Sequence, residues 1–296
     1  MSRYLDPKSD IVFKRIFGEH PKLLISFLNA VLPLPEDQHI ESIEYLLPHQ
    51  VPELPNFKST IVDVKCKDQH QRSFIVEMQI QWLSDFMKRM LYSTTSAYVR
   101  QLPKGGKYEK LCPVYGLGLV ADTFSDEPEF YHHFRFGKAH DPKQTLDDIQ
   151  IIFVELHKFQ PKTFKERKLA ILWLRFLSEI SENTLKVDDE LLSDPYIKQA
   201  LELTETAAYS PEELHAYEAY WDAVRIEKSR EDDSFSKGIN KGFEKGREEG
   251  REEGIEIGRQ KAEQEKRLMA KKLLAKGLDI QTVSEITGLL IEEIEK

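Results

Sequence analysis

The chain has 296 residues with 42 Lys and Arg against 51 Asp and Glu, a formal net charge of −9, and is 40% hydrophobic and 31% charged. This is the composition of a water-soluble globular protein. The acid excess argues against a protein coated evenly with base for nucleic acid, and two cysteines, Cys66 and Cys112, are too few for a disulfide framework or a Cys-based zinc site.

No run of 18 uncharged apolar residues occurs, so no membrane span is expected. The opening MSRYLDPKSD has no apolar stretch of the secretory kind, and a cytoplasmic protein is the expectation. The charge is uneven. Between Lys65 and Lys110 nine Lys or Arg stand against four Asp or Glu.

From the N-terminus, Asp10 to Gly18 has the Ile/Phe spacing of a helix ending in glycine, and Pro21 to Val31 a second helix closed by Pro33 and Pro35. Residues 59–67, STIVDVKCK, alternate with period two, setting Val62, Val64 and Cys66 on one face and Asp63, Lys65 and Lys67 on the other. After the polar stretch 68–71, residues 72–81 alternate again, with Phe74, Val76, Met78 and Ile80 opposed to Ile75, Glu77, Gln79 and Gln81. The pair reads as a β-hairpin. A three-residue loop at 69–71 pairs Asp68 with Arg72 and sets Asp63 opposite Glu77, with Cβ atoms roughly 4.5–5.5 Å apart. Two like charges at that distance repel, so a cation is expected between them.

A helix is predicted over 85–101, then strands over 113–121, 129–136 and 149–156, then helices over 165–180, 189–207 and 211–229. Strands flanked by helices indicate an α/β domain with a mixed sheet over residues 1–230. In the segment 231–260, glycines fall at 238, 242, 246, 250, 254 and 258 in a Lys/Arg/Glu-rich matrix, and residues 261–296 read as three short helices with turns at Gly277 and Gly288. Small residues at every fourth position permit close helix crossing, so self-association through this tail is expected; a flexible charged linker is the other reading. The last twenty residues resemble a small helix-turn-helix. From Gly277 onward they hold one cation against five acids, a poor phosphate reader.

Asp63 and Glu77 on adjacent strands form a hard-oxygen site of the kind that suits Mg²⁺ or Mn²⁺, with water and phosphate completing the shell. The Met78 carbonyl can add a ligand. Lys65 can stabilise charge, and Gln79 can hold water by hydrogen bonds but supplies no positive charge. Lys88, Arg89 and Tyr92 on the following helix are candidate phosphate contacts. An amphipathic hairpin with a solvated polar face explains the same spacing. His132 and His133, adjacent on a strand, point to opposite faces and cannot share a metal. Cys66 and Trp173 read as core. Neither a nucleophile-elbow motif nor a phosphate-binding GxxxxGK[ST] loop occurs.

An ordered set of motifs adds to this. Asp10, Phe13, Lys14, Phe17 and Gly18 are followed by Leu28-Asn29, Val62-Asp63-Val64, Glu77-Met78-Gln79, Arg89 with Tyr92, Gly106 with Tyr108, and Pro113-Val114. This resembles the Rpn family of recombination-promoting nucleases, also described as PD-(D/E)XK transposases, over about residues 4–230. The resemblance implies a metal-dependent DNA endonuclease on a restriction-endonuclease-like core, acting in recombination, mobile elements or phage defence. It matches Asp63 and Glu77 to the metal-binding acids, Gln79 to the position of the wider superfamily's lysine, and Asp10 to a first-helix acid; an i,i+4 salt bridge to Lys14 is the other reading of Asp10. Two rival functions remain: a catalytically inactive, nuclease-like DNA-binding or assembly protein, and an unrelated metal phosphohydrolase.

Overall fold

The computed structural model describes residues 3–46, 49–50, 60–61, 63–160 and 168–294. Val62 and residues 165–167 of the expected helix lie outside them. The chain divides into two compact units, Met1–Val224 and Arg225–Lys296.

The first unit is built on a six-stranded mixed sheet in the order β1-β4-β5-β6-β8-β7. Its strands are β1 (Ile43–Tyr45), β4 (Val64–Asp68), β5 (Ser73–Gln79), β6 (Val114–Val120), β7 (Tyr131–Lys138) and β8 (Asp141–Glu155). Strands β2 (His49–Gln50) and β3 (Thr60–Ile61) pair separately. The inner strands β5, β6 and β8 are parallel. All seven residues of β6 are buried, as expected of a strand covered on both faces.

One face carries α1 (Asp10–Glu19), α2 (Pro21–Val31), α4 (Lys168–Glu179) and α6 (Pro195–Leu203). Their Ile, Leu and Phe stripes pack on Val64, Cys66, Phe74 and Val76 from the hairpin. Phe17, Phe27 and Trp173 form the aromatic centre, with Phe17 and Phe27 centroids 4.7 Å apart and Phe17 and Trp173 5.5 Å apart. The buried Trp173 Nε1 donates to Ser26 Oγ at 3.1 Å, so its one polar atom is satisfied. Cys66 is fully buried here, and burial pushes its thiol up to about 12.

The other face carries α3 (Phe86–Val99), packed over Ile75, Val114, Val120, Ile151 and Phe153. The helix sits close because β6 presents glycines to it. A Cβ at Gly116 would lie 2.6 Å from Thr94 Cγ2, and one at Gly118 would lie 2.7 Å from Phe153 Cδ1 and 3.1 Å from Phe86 Cε1. The polar face of the hairpin is therefore roofed by a helix at its inner end instead of lying open to solvent.

The hairpin register is the one expected: Val64 pairs with Val76, Lys65 with Ile75, Cys66 with Phe74 and Lys67 with Ser73. The loop holds Gln71 at φ 62°, and Asp68 N donates to Arg72 O at 3.1 Å. A last loop residue in the left-handed region is the usual closure of a three-residue hairpin loop. Asp68 and Arg72, both buried, lock it, with Arg72 Nε donating to Asp68 Oδ2 at 2.7 Å and Arg72 Nη2 to the Gln38 carbonyl at 2.6 Å.

Five expectations are corrected. The helix expected over 189–207 is broken at Ser193 into α5 (Asp189–Leu192) and α6, and the strand expected over 149–156 begins at Asp141. The strand expected over 59–67 is not continuous: β4 begins at Val64, and Asp63 sits in a bend just before it. The short edge strand β1 was not expected; it lacks a clear alternation and gains its pairing from β4. The helix expected to end at 229 instead continues through the glycine repeat as α7 (Pro211–Ala275), which takes in the first of the three short helices expected after 261. Glu, Lys and Arg between the glycines are strong helix formers, and pairs such as Lys245 with Glu249 at 3.5 Å and Arg267 with Glu263 at 2.7 Å add i,i+4 support.

In the second unit α8 (Ile280–Thr287) and α9 (Ile291–Ile294) follow turns at Gly277 and Gly288, where φ is +87° and +69°. Asp279 caps α8 through the Thr282 N–H at 3.0 Å. Ala270, Val283, Leu289 and Ile294 form a small core. Among the described residues no helix is long and apolar enough to cross a membrane.

The two glycine environments give opposite expectations. Gly118→Ala forces a methyl into the Phe153 ring and should cost about 1–3 kcal/mol in urea denaturation, the range for overpacking. Gly242→Ala meets nothing within 4 Å. In protein dilute enough to be monomeric it should be neutral or stabilise by up to about 1 kcal/mol.

Candidate active site

The site lies where β4 gives way to the bend at Asp63, beside the carboxyl-terminal half of β5. The antiparallel register, continued one pair beyond Val64 and Val76, brings Asp63 opposite Glu77. The ladder itself stops there. Since Asp68 and Arg72 form a hydrogen-bonded pair, alternation along the ladder turns the Met78 N–H toward β4. That donor is taken by a side chain: Asp63 Oδ2 accepts from Met78 N at 2.6 Å. Asp63 thus replaces a main-chain acceptor at the frayed end of the ladder. This explains an aspartate that strand propensity disfavours. The pleat directs the Met78 carbonyl to the same side.

Asp63 and Glu77 are both partly buried. Desolvation raises the Asp63 carboxyl from 3.8 to about 6; the Met78 N–H pulls it back, the Asp10 charge adds to the rise, and the charges of Lys14 and Arg89 oppose it. Desolvation raises Glu77 from 4.5 to about 7, Asp63 adds to this, and Arg89 opposes it. Glu77 therefore senses the Asp63 charge, and the protein's own cations compensate the burial of both acids only in part.

The remaining expected residues divide. Asp10 forms the i,i+4 salt bridge to Lys14 at 2.7 Å, and its charge also acts on Asp63. Gln79 lies one pleat beyond Glu77 on the α3 face, and its Oε1 accepts from Arg89 Nη2 at 2.9 Å. Lys65 lies one pleat away from Asp63 in the other direction; its ammonium is lowered by burial and by the charges of Arg100 and Lys67. Tyr92 is half-buried one turn beyond Arg89. Lys88 is not brought to the acids: it is exposed at the rim of an apolar groove with Met87, Leu91, Phe134 and Phe136. His132 and His133 do part to different partners, Glu155 Oε1 and Gln150 Oε1, each at 2.8 Å.

Two residues were not anticipated. Tyr220, in the first turns of α7, has its phenol raised by burial and by the charges of Asp10, Asp63 and Asp6, so it lies within electrostatic range of the acids. No local signal 157 residues downstream of Asp63 identifies it. Glu155 ends β8 in register with Val120 and Gln79 and is fully buried. It is occupied by Lys158 Nζ at 2.9 Å, His132 Nε2 and the Phe124 N–H at 2.8 Å, bonds that hold its carboxyl below the usual range despite burial. An acid closing the apolar run IIFV is the signal that marks it.

A model of the PD-(D/E)XK nuclease family transposases matches residues 7–231. The chain belongs to that family. The mixed sheet with helices on both faces is consistent with the PD-(D/E)XK fold, and membership points to nuclease chemistry with DNA as the partner. No curated protein and no solved structure matches the chain.

Members of this family typically use divalent metals, and the donor set here fits a hard cation. Asp63 and Glu77 hold opposed positions in the continued register, and both carry a desolvation penalty that a cation would relieve. Among the described residues no group of three or more His, Cys, Asp or Glu assembles as a ligand cluster. A two-acid set is what Mg²⁺ accepts, since it keeps several waters and takes phosphate oxygens.

The buried acids should weaken the metal-free fold at high pH. Unfolded Glu77 titrates near 4.5 and folded Glu77 near 7, so across that window the folded form binds more protons and stability falls as pH rises. In EDTA, Glu77→Gln should be more stable than the parent protein at pH 8 by on the order of 1–3 kcal/mol and nearly equal at pH 5. Urea denaturation at the two pH values measures this; a variant less stable at pH 8 would contradict it.

Proposed function

We propose that this chain is a Mg²⁺- or Mn²⁺-dependent DNA endonuclease of the Rpn type, serving recombination, mobile elements or phage defence. The observation that carries the reading is the opposed placing of Asp63 and Glu77, two desolvated carboxylates from the bend before β4 and from β5, in a family of nucleases. Asp63, Glu77 and the Met78 carbonyl would hold the ion. A divalent cation there supplies Lewis acidity to the phosphodiester and makes bound water more acidic.

The chain's own groups prepare that chemistry. The Met78 N–H fixes Asp63 through Oδ2 and leaves Oδ1 for the cation. Lys65, beside Arg100 and Lys67, offers cationic surface to the DNA backbone next to the acids. Hydrolysis places the water oxygen on phosphorus and breaks one P–O ester bond. One water proton ends on the leaving oxygen and the other on the new phosphomonoester.

The same reading assigns the tail to self-association. Six glycines in one exposed helix carry a propensity cost of roughly 1 kcal/mol each against alanine, and Phe235 and Phe243 beside them are 71% and 72% exposed. A second helix laid against this stripe relieves both.

Purified protein should nick or cut supercoiled plasmid with Mg²⁺ and lose this activity in EDTA. Asp63→Ala should reduce it by at least 100-fold while far-ultraviolet circular dichroism stays unchanged. Full cutting by Asp63→Ala contradicts the site. Metal-independent DNA binding without cleavage favours the inactive-protein reading, and turnover on small phosphoesters alone favours a phosphohydrolase. In analytical ultracentrifugation the full chain should sediment as a dimer or larger and a 1–230 truncation as a monomer; two monomers would remove the self-association.

A further inference from the structure

Gln79 lies one pleat beyond Glu77, at the position that the resemblance matches to the wider superfamily's lysine, and an amide alone carries no charge. The cation arrives from another element. Arg89, on α3, reaches across to Gln79, with Nη2 2.9 Å from Oε1. Its charge acts on both Asp63 and Glu77. Its Nε is buried and makes no hydrogen bond among the described residues, the Asp85 carboxylate being 3.8 Å away, and the guanidinium lies 5.4 Å from the Phe86 ring centroid. A buried donor without an acceptor is costly, and it leaves the Nη2 bond to Gln79 as the hydrogen bond that ties the guanidinium to the sheet.

The pairing also fixes the amide. A guanidinium has donors only, so the Gln79 atom facing Arg89 must be Oε1, and Nε2 is the end left to face the substrate. Gln79 is thereby a donor, polarised by a cation behind it. Its place one pleat beyond Glu77, roughly 6.6 Å along the strand, sets that donor beside the two acids.

Resting on the nuclease reading above, we propose that Arg89 and Gln79 form one functional unit: Arg89 is a positioning residue that orients and polarises the Gln79 carboxamide, and Gln79 Nε2 donates to a non-bridging oxygen of the scissile phosphate. The pair does together what a single strand-borne cation does alone. Negative charge grows on those oxygens in the transition state, so the benefit falls on the chemical step more than on binding. Arg89 is then not one of the outer phosphate contacts that hold the DNA backbone.

The test uses full-length protein with Arg89→Ala, Arg89→Lys, Gln79→Lys and the double variant Gln79→Lys/Arg89→Ala. Arg89→Ala should lower kcat about 100-fold, the scale for removing one oriented donor, with KM for DNA changed less than about threefold. Arg89→Lys should recover part of the loss. A lysine at 79 brings its own charge, so the double variant should cut at least about tenfold faster than Arg89→Ala alone. DNA binding is read separately by fluorescence anisotropy in Ca²⁺ across a salt series, and its log–log slope should be unchanged in Arg89→Ala. A slope smaller by about one with a raised KM marks an ordinary phosphate contact and overturns the proposal, as does a double variant no faster than Arg89→Ala. Wild-type protein that neither binds nor cuts DNA overturns the nuclease reading itself, and this inference with it.

Discussion

The register of the β4–β5 hairpin is the constraint on which the site depends. Side chains alternate between faces along a strand, so a slip of one residue would carry Glu77 and Gln79 into the core beneath α1 and α2 and leave Val76 on the side of the acids. The buried Asp68–Arg72 pair prevents this at the turn. Asp68 accepts from the Arg72 main chain at 2.9 Å as well as from its guanidinium, and Arg72 is tied onward to Gln38. Breaking such a pair would leave an unpaired buried charge, a cost of about 3–5 kcal/mol. That cost is a measure of how firmly Asp63 and Glu77 are held in apposition, five residues away on either strand.

The site itself works against folding. Two carboxylates lose solvent and repel one another, and Arg89 and Lys14 answer them only in part. The core on the opposite face, with Phe17, Phe27 and Trp173 fully buried, sustains a polar corner that is unfavourable by itself. This division suits a protein whose missing stabilisation comes from a cation and an anionic substrate. Preorganised acids that are poorly solvated bind a hard ion with less reorganisation than flexible surface acids do.

Local periodicity carried the hairpin, its faces and its register, because a two-residue alternation and a three-residue loop are short-range properties. The same holds for α1, α2, α3 and the buried Cys66 and Trp173. What escaped was non-local. Nothing near Asp63 says that its side chain substitutes for main chain at Met78, since that depends on where β4 ends. The covering of the polar face by α3 depends on the sheet order, and Tyr220 reaches Asp63 and Asp10 only through the path of the whole chain. The helix end at 229 is misplaced for a different reason: the glycine repeat reads as a separate segment, while the strong formers and ion pairs between the glycines carry α7 through it.

Gly116 and Gly118 have a further implication. Gly118 lies beside Glu77 in the ladder and Gly116 beside Ile75, and neither brings a side chain to the site, yet the bare surface they give β6 sets how deeply α3 sinks onto the sheet, and therefore whether Arg89 can span the gap to Gln79. Reactive geometry in this protein is thus decided partly by two positions defined by having no side chain at all. A sequence drifting toward alanine or valine there would keep every chemically recognisable residue and still lose the alignment among them.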